Sequence, residues 1–367
     1  MQKITPSKTL NYDWQSLARS VESAFQGEQL SKAEDLCWES ISKAKLLGEL
    51  EPRLAISLSN LAVIQRLRGQ YDRAEDLSNI ALRIFQAIDA QGPLMTKALL
   101  NAASFFFAQG RWGEARRLYN KAIGLLELNP QDEILCQALC LLARLYSEQA
   151  KYSQAENLLK RVSSLQPKIP RVRLLYLLTS AQNSIYQERL TRAEKHLEQA
   201  DEILQNKLEL QDIWNSSRLA VQSGLLAHRY GALKQLSGAQ ESEVSALKAE
   251  VIESYSRALK LREQSLGPFH SSCSTILRRL AQFYFDLSSY QSCEQHLRSA
   301  LSICLSSRGA YHPETLQCLE LSALVLRATN RHDEAESMEE RSRQVEKKVR
   351  EQARETLVAW GQTDSKS

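Results

Sequence analysis

Cys136 and Cys140 stand four residues apart, a spacing that puts both thiols on one face of a helix and could supply half of a tetrahedral metal site. No second pair stands nearby in the chain, so two packed thiols are the better reading. His270 and Cys273 have the same shortage. His270 and His312 instead occupy matching places in consecutive stretches, which points to a structural turn. There is no Gly-rich phosphate loop, no G-x-S-x-G and no H-E-x-x-H. Carboxylates are scattered and stand four residues from basic partners, as Glu346 does from Arg350. The sequence therefore predicts no enzyme, no metal site and no cofactor. What remains is hydrogen bonding and charge. Asn, Gln and Arg recur among apolar residues, and an Asn amide offers a peptide backbone both a donor and an acceptor.

These polar residues recur because the chain repeats. Gly69 to Leu82 reads GQYDRAEDLSNIAL, and Gly110 to Ile123 reads GRWGEARRLYNKAI. In both, a Gly precedes an aromatic by two, a small residue follows three further on, and another small residue comes seven after that. The first small position recurs as Ala33, Ala74, Ala115, Ala155, Ala193, Val251, Cys293 and Ala335, at gaps of 41, 41, 40, 38, 58, 42 and 42. The second is Ser40, Ala81, Ala122, Val162, Ala200, Ala258, Ala300 and Ser342. Twelve residues before the first lies a third small residue: Ala62, Ala103, Ala143, Ala181, Ala281 and Ala323, with Val21 in the end repeat. Two antiparallel helices, A then B, approach closely only where side chains are small, and seven residues are two helical turns on one face. The Gly permits the tight turn between them, and the aromatic fills the space beneath it.

Composition agrees with an all-α chain. Of 367 residues only 13 are Gly and 8 Pro, and strand-type alternation is scarce. A formal charge of +4 is too small to indicate nucleic-acid binding. No apolar run is long enough to insert in a bilayer, and the first residues lack the apolar core of a signal peptide. Seven cysteines without framework spacing fit reduced core thiols. The expectation is a cytoplasmic protein.

The repeats set the boundaries. Residues 1–13 are expected to be flexible. Residues 14–345 form a right-handed superhelical solenoid of about eight antiparallel helix pairs, in repeats near 14–50, 51–92, 93–130, 131–168, 169–210, 211–266, 267–310 and 311–345. Residues 346–360 form a C-terminal capping helix, and 361–367 a disordered tail. Pro52, Pro93, Pro130, Pro167, Pro268 and Pro313 fall between repeats, where a missing N–H costs nothing. The long gap belongs to repeat six. Its helix A is expected over Asp212 to Tyr230 with Gly224 at the close-contact place, and Gly231 to Glu243 is a loop or frayed extension.

Together these offsets resemble the tetratricopeptide repeat. The longer period, the intact His312–Pro313 and the Asn60-Leu61-Ala62 triplet are similar to the kinesin-light-chain type; Ser271 replaces the Pro after His270. The resemblance implies a non-enzymatic scaffold or adaptor. It would bind a peptide segment of a partner in a concave groove lined by the A helices, six, three and two residues before each A-helix small residue and one, four and five after it. Those offsets select Asn60, Val63, Arg66, Lys97, Asn101, Ser104, Phe107, Arg144, Gln182, Arg278, Arg279 and Gln282. The resemblance gives Asn60 and Asn101 the role of clamping an extended peptide. Arg19, Arg218, Arg229 and Arg327 bring the basic groove candidates to nine, against Glu22, Glu148, Asp286 and Glu320, so an acidic partner fits. The alternative is a regulatory sensor whose superhelix changes pitch when ligand binds. Homodimerisation through the C-terminal helix is compatible with either.

Overall fold

The computed structural model describes residues 6–26, 30–68, 70–88, 93–128, 131–206, 211–236 and 240–361. All regular structure among them is helical, and the helices follow one another as hairpins. The chain divides into two compact units, Met1–Gln131 and Asp132–Ser367. The first unit holds α1 (Pro6–Gln26) with α2 (Leu30–Lys45), α3 (Pro52–Leu67) with α4 (Tyr71–Ala87), and α5 (Pro93–Ala108) with α6 (Trp112–Leu128). The second holds α7 (Asp132–Glu148) with α8 (Tyr152–Leu165), α9 (Pro170–Tyr186) with α10 (Leu190–Asn206), and α11 (Gln211–Gln235) with α12 (Glu241–Leu266). It continues with α13 (Ser271–Asp286), α14 (Tyr290–Ser307), α15 (Pro313–Ala328) and α16 (His332–Gly361). Odd-numbered helices also touch each other: α3 meets α5 in the first unit, and α7, α9, α11, α13 and α15 follow in turn in the second.

The small residues are where the hairpins need them. Ala33, Ala74, Ala115, Ala155, Ala193, Val251, Cys293 and Ala335 are all 0% exposed. Their partners on the A helices, from Ala62 to Ala323, are buried as well. A branched side chain at these points would push two helix axes apart, because a packed interior has no spare volume. All seven cysteines are free and buried. Cys136 and Cys140 lie in the α7 core, where burial pushes the Cys136 thiol up to about 11 and leaves it a small hydrophobe.

The turns follow one design with varied residues. Gly110 adopts a left-handed φ of 75°, and the equivalent residues Ala150, Glu188, Ser288 and Asn330 adopt φ values of 56°, 59°, 56° and 60°. Gly69, the position from which the motif was read, lies outside the described residues. In each turn the next N–H reaches back to a carbonyl near the helix end, as in Lys151 N to Tyr146 O and Ser289 N to Tyr284 O, both 2.9 Å. Those bonds satisfy carbonyls that the helix would otherwise orphan, and they hold the left-handed residue even without Gly. Helix starts are likewise capped: Nδ1 of His270 accepts from Ser272 N (3.2 Å), and Nδ1 of His312 from Glu314 N (3.0 Å). Pro52, Pro170 and Pro313 each occupy a first helical turn, where their missing N–H is harmless.

The structure departs from the sequence expectations at both ends and in repeat six. The first helix starts at Pro6, well before residue 14, and residues 1–5 lie outside the described set. Segment 346–360 continues α16 without a break, so it is an extension of the last B helix. The tail from 362 onward also lies outside the described residues. In repeat six the extra residues lengthen the helices: α11 runs 25 residues and α12 runs 26. The close-contact residue of α11 is Ser223, 0% exposed, whose hydroxyl bonds Ser254 Oγ on α12 (2.9 Å). Two turns earlier Ser216 does the same to the Ala258 carbonyl (2.7 Å). Gly224 points elsewhere, since a Cβ added there would meet nothing within 4 Å. Repeat six does not fit the twelve-residue offset from Val251, and the inward residue stands one before the expected Gly224.

Candidate ligand cleft

A cleft of about 810 Å³ opens in the second unit, lined mainly by the A helices α7, α9, α11 and α13, with Gln317 of α15, Tyr152, Leu190 and Tyr255 of the B helices, and the turn residues Ala150 and Glu188. Its wall follows the repeat. Residues one and five after the A-helix small position supply Glu148, Gln182, Tyr186, Gly224, His228, Gln282 and Asp286. Arg278 and Arg279 precede Ala281 by three and two. The extension of α11 continues the same face with Ala227, Gly231, Ala232 and Gln235. Short side chains on that helix leave the hollow open. Regular spacing of three and four residues keeps them on one stripe.

Arg279 is the central polar element. One terminal nitrogen donates to Gln182 Oε1 (3.1 Å) and the other to the Tyr186 hydroxyl (3.0 Å), which carries α13 across to α9, two repeats back. The Tyr186 ring stacks on Tyr152 at 5.4 Å between centroids, fixing the hydroxyl. Burial raises the pKa of Tyr186, so the phenol is neutral when it accepts this bond. The Arg279 pKa is raised, by charge coupling first to Tyr186 and then to Tyr255, Glu148 and Glu314, against its own burial, so the guanidinium stays cationic. Arg278 lies differently: its Nε is 3.7 Å from Glu314 Oε1. Glu314 also pairs closely with Arg308 and accepts from Thr275 Oγ1 (3.0 Å). Gln282 Nε2 donates to Asp286 Oδ1 (3.0 Å), and burial raises the pKa of that carboxyl.

A family model described as Tetratricopeptide repeat matches residues 94–168 and 272–348. Those two stretches are tetratricopeptide repeats. Among solved structures, a Rap protein complexed with Competence and Sporulation Factor is similar in fold, with a TM-score of 0.57 at 13% identity over 93% of this chain and 99% of that one. The apo form of RapI gives 0.56 at 12% identity, covering 79% of this chain and 97% of the other. The APC/C hetero-tetramer Cut9–Hcn1 gives 0.57 at 12% identity over 92% of this chain and 55% of that chain. None of the curated proteins matches the sequence significantly. No helix among the described residues is long and apolar enough to cross a membrane.

Four residues expected from sequence meet in the cleft: Gln182, Arg278, Arg279 and Gln282. Arg144, also in the second unit, is exposed on α7 and outside the lining. The other seven belong to the first unit. Asn60, Val63 and Arg66 are half-buried on α3; on α5, Lys97 is exposed and Phe107 half-buried. Asn101 Nδ2 donates to Ser59 Oγ (3.1 Å), and the Ser104 hydroxyl lies 3.1 Å from that of Tyr119. Three expected groove cations turn to neighbouring B helices instead. Arg218 bonds Asp201 (2.7 Å), Arg229 pairs with Glu194, and Arg327 bonds Glu339 (2.9 Å). The cleft lining is therefore not basic as a whole: Arg278 and Arg279 face Glu148, Glu188 and Asp286. Sequence reading missed Tyr152 because it counted as turn filler, and missed Gly231, Ala232 and Gln235 because they fell in the expected loop. The three- and four-residue spacing from Gly224 onward was the signal that could have found them.

Proposed function

We propose that this protein is a non-enzymatic scaffold or adaptor that holds a short stretch of a partner polypeptide in the cleft of its second unit. The observation that carries this reading is the convergence of hydrogen-bonding side chains, stacked tyrosines and a small-residue wall on one open hollow. Its volume falls in the range of clefts that hold small ligands, about 300–1,000 Å³. Amide and guanidinium groups there suit a polypeptide backbone and its polar ends. A solved structure of similar fold is described in complex with a named factor, which supports the architecture as a holder of ligands.

The test is retention of a random synthetic hexapeptide pool on the immobilised full chain, compared with Gly224→Phe. A Cβ at this position meets no atom within 4 Å and the change favours the helix, so the melting temperature should hold, while retention should drop about tenfold. Undiminished retention would put binding outside the cleft. A second reading, a sensor whose helices move on binding, is favoured by one feature. Arg279 ties α13 to α9, and a ligand that took over its donors would release that tie.

A further inference from the structure

We propose that Arg262 on α12 is the centre of a binding site for a tetrahedral oxyanion, a phosphate or sulfate group, distinct from the cleft and independent of what the cleft holds. The repeat shows that the residue is out of place. Eleven residues after the first small residue of helix B, five repeats carry Ala44, Phe85, Leu126, Leu204 and Cys304, all buried. Gln166 and Glu346 stand there in two others, and α12 carries Arg262. A guanidinium at a packing position costs free energy unless something answers its charge.

Among the described residues nothing answers it at short range. Arg262 Nε donates to Ser216 Oγ and one terminal nitrogen to Ser217 Oγ, both at 2.9 Å and both neutral partners. Arg218, Arg229 and Arg308 each pair with a carboxylate, whereas Arg262 forms no ion pair within 4.0 Å among the described residues. Burial pulls the Arg262 pKa down to about 10, and the like charge of Arg144 on α7 pulls the same way. Cys273 alone pulls upward, and burial keeps that thiol neutral by raising its own pKa to about 11. An arriving anion would relieve both the burial and the repulsion between the two guanidiniums.

The fork is already aimed. Ser216 is 0% exposed and its hydroxyl is fixed by the Ala258 carbonyl (2.7 Å), so little side-chain freedom is lost on binding. The second terminal nitrogen makes no hydrogen bond among the described residues, and the outer edge of the fork can donate to two oxygens of one anion. Arg262 stays partly exposed, so a small ion reaches it without unfolding. A charge near −2 suits two cations. The cleft itself repels such a charge through Glu148, Glu188 and Asp286, and Arg262 is not among its lining residues.

Thermal unfolding of the full chain near pH 7 tests the site. Inorganic phosphate at about 10 mM should raise the melting temperature by about 2 °C over sodium chloride of equal ionic strength. N-acetylphosphoserine amide is the second arm. A rise with both extends the site to phosphoryl groups on larger ligands, and a rise with inorganic phosphate alone confines it to the free ion. The rise should be absent in Arg262→Leu, a side chain that Leu204 shows the position accepts. Arg262→Gln serves the same purpose should the Leu variant fail to fold. No rise in the unaltered chain with either compound overturns the site, and so does a rise that survives loss of the guanidinium. Hexapeptide retention is measured separately, so the polypeptide-holding function does not fall with this site.

Discussion

In the first unit Asn101 on α5 reaches Ser59 on the adjacent A helix α3, and Ser104 meets Tyr119 within its own hairpin. In the second unit Arg279 on α13 reaches past α11 to Gln182 and Tyr186 on α9. Both sets of residues come from the same offsets in the repeat. The difference lies at the position one after the small residue, which is Val63 or Ser104 in the first unit and Gly224 in repeat six. Where that position carries a side chain, polar groups satisfy their near neighbours. Where it is bare and the helix continues with Ala227 and Gly231, a hollow remains and a long side chain can cross it. A repeat thus supplies equivalent positions, and the local choice of side-chain size decides which become a site.

The largest effect is expected at the charge that Arg278 of α13 leans on, Glu314 of α15. Glu314→Gln leaves Arg308 and Arg278 without their shared counter-charge and should cost about 4 kcal/mol near neutral pH, read by urea denaturation. Burial alone would raise the Glu314 pKa, but Arg308, Arg278 and His312 together hold it below the usual carboxylate value. The native protein therefore has this stabilisation in full above the unfolded pKa of about 4.3, and loses it as pH falls through the lower folded value. The gap between native and variant should accordingly narrow in acid. A constant gap down to about pH 3 would show that Glu314 is not an ion-pair partner.

Neighbouring residues of α11 give the sharpest contrast. Ser223→Leu forces a branched side chain between α11 and α12 and leaves the Ser254 hydroxyl only the Leu219 carbonyl at 3.5 Å, at about 3 kcal/mol. Gly224→Ala should instead raise stability by about 1 kcal/mol, because Ala favours the helix and its methyl meets no atom. Equal effects at the two positions would return the close contact to Gly224. Asn101→Ala should cost about 1 kcal/mol through the lost Ser59 bond and leave hexapeptide retention unchanged. A large fall in retention would restore the expected clamp to the first unit. The smallest effect is expected at the turns. Ala150→Gly relieves a left-handed Ala and should stabilise by roughly 0.5 kcal/mol, the strain relieved exceeding the added chain entropy. Thermal unfolding of the variant would show it.

The period of small residues determined by itself that this chain folds as stacked helix hairpins, because helix axes can approach closely only at Ala33, Ala74, Ala155 and their equivalents. The offsets that select Gln182, Arg278, Arg279 and Gln282 come from the family resemblance, and all four line the cleft. The period could not determine the turn conformations at Glu188 and Ser288, since backbone hydrogen bonds impose a left-handed φ that the residue types do not announce. Nor could it decide between Ser223 and Gly224, because both are small and only the packing of α12 distinguishes the inward one. The charge of the cleft likewise waited for the tertiary structure. Arg218, Arg229 and Arg327 count as groove cations along the chain, yet each finds a carboxylate on a neighbouring helix at short range, while Arg279 bonds a neutral amide and a phenol. Side-chain type sets which charges exist, and only three-dimensional neighbours decide which are already answered.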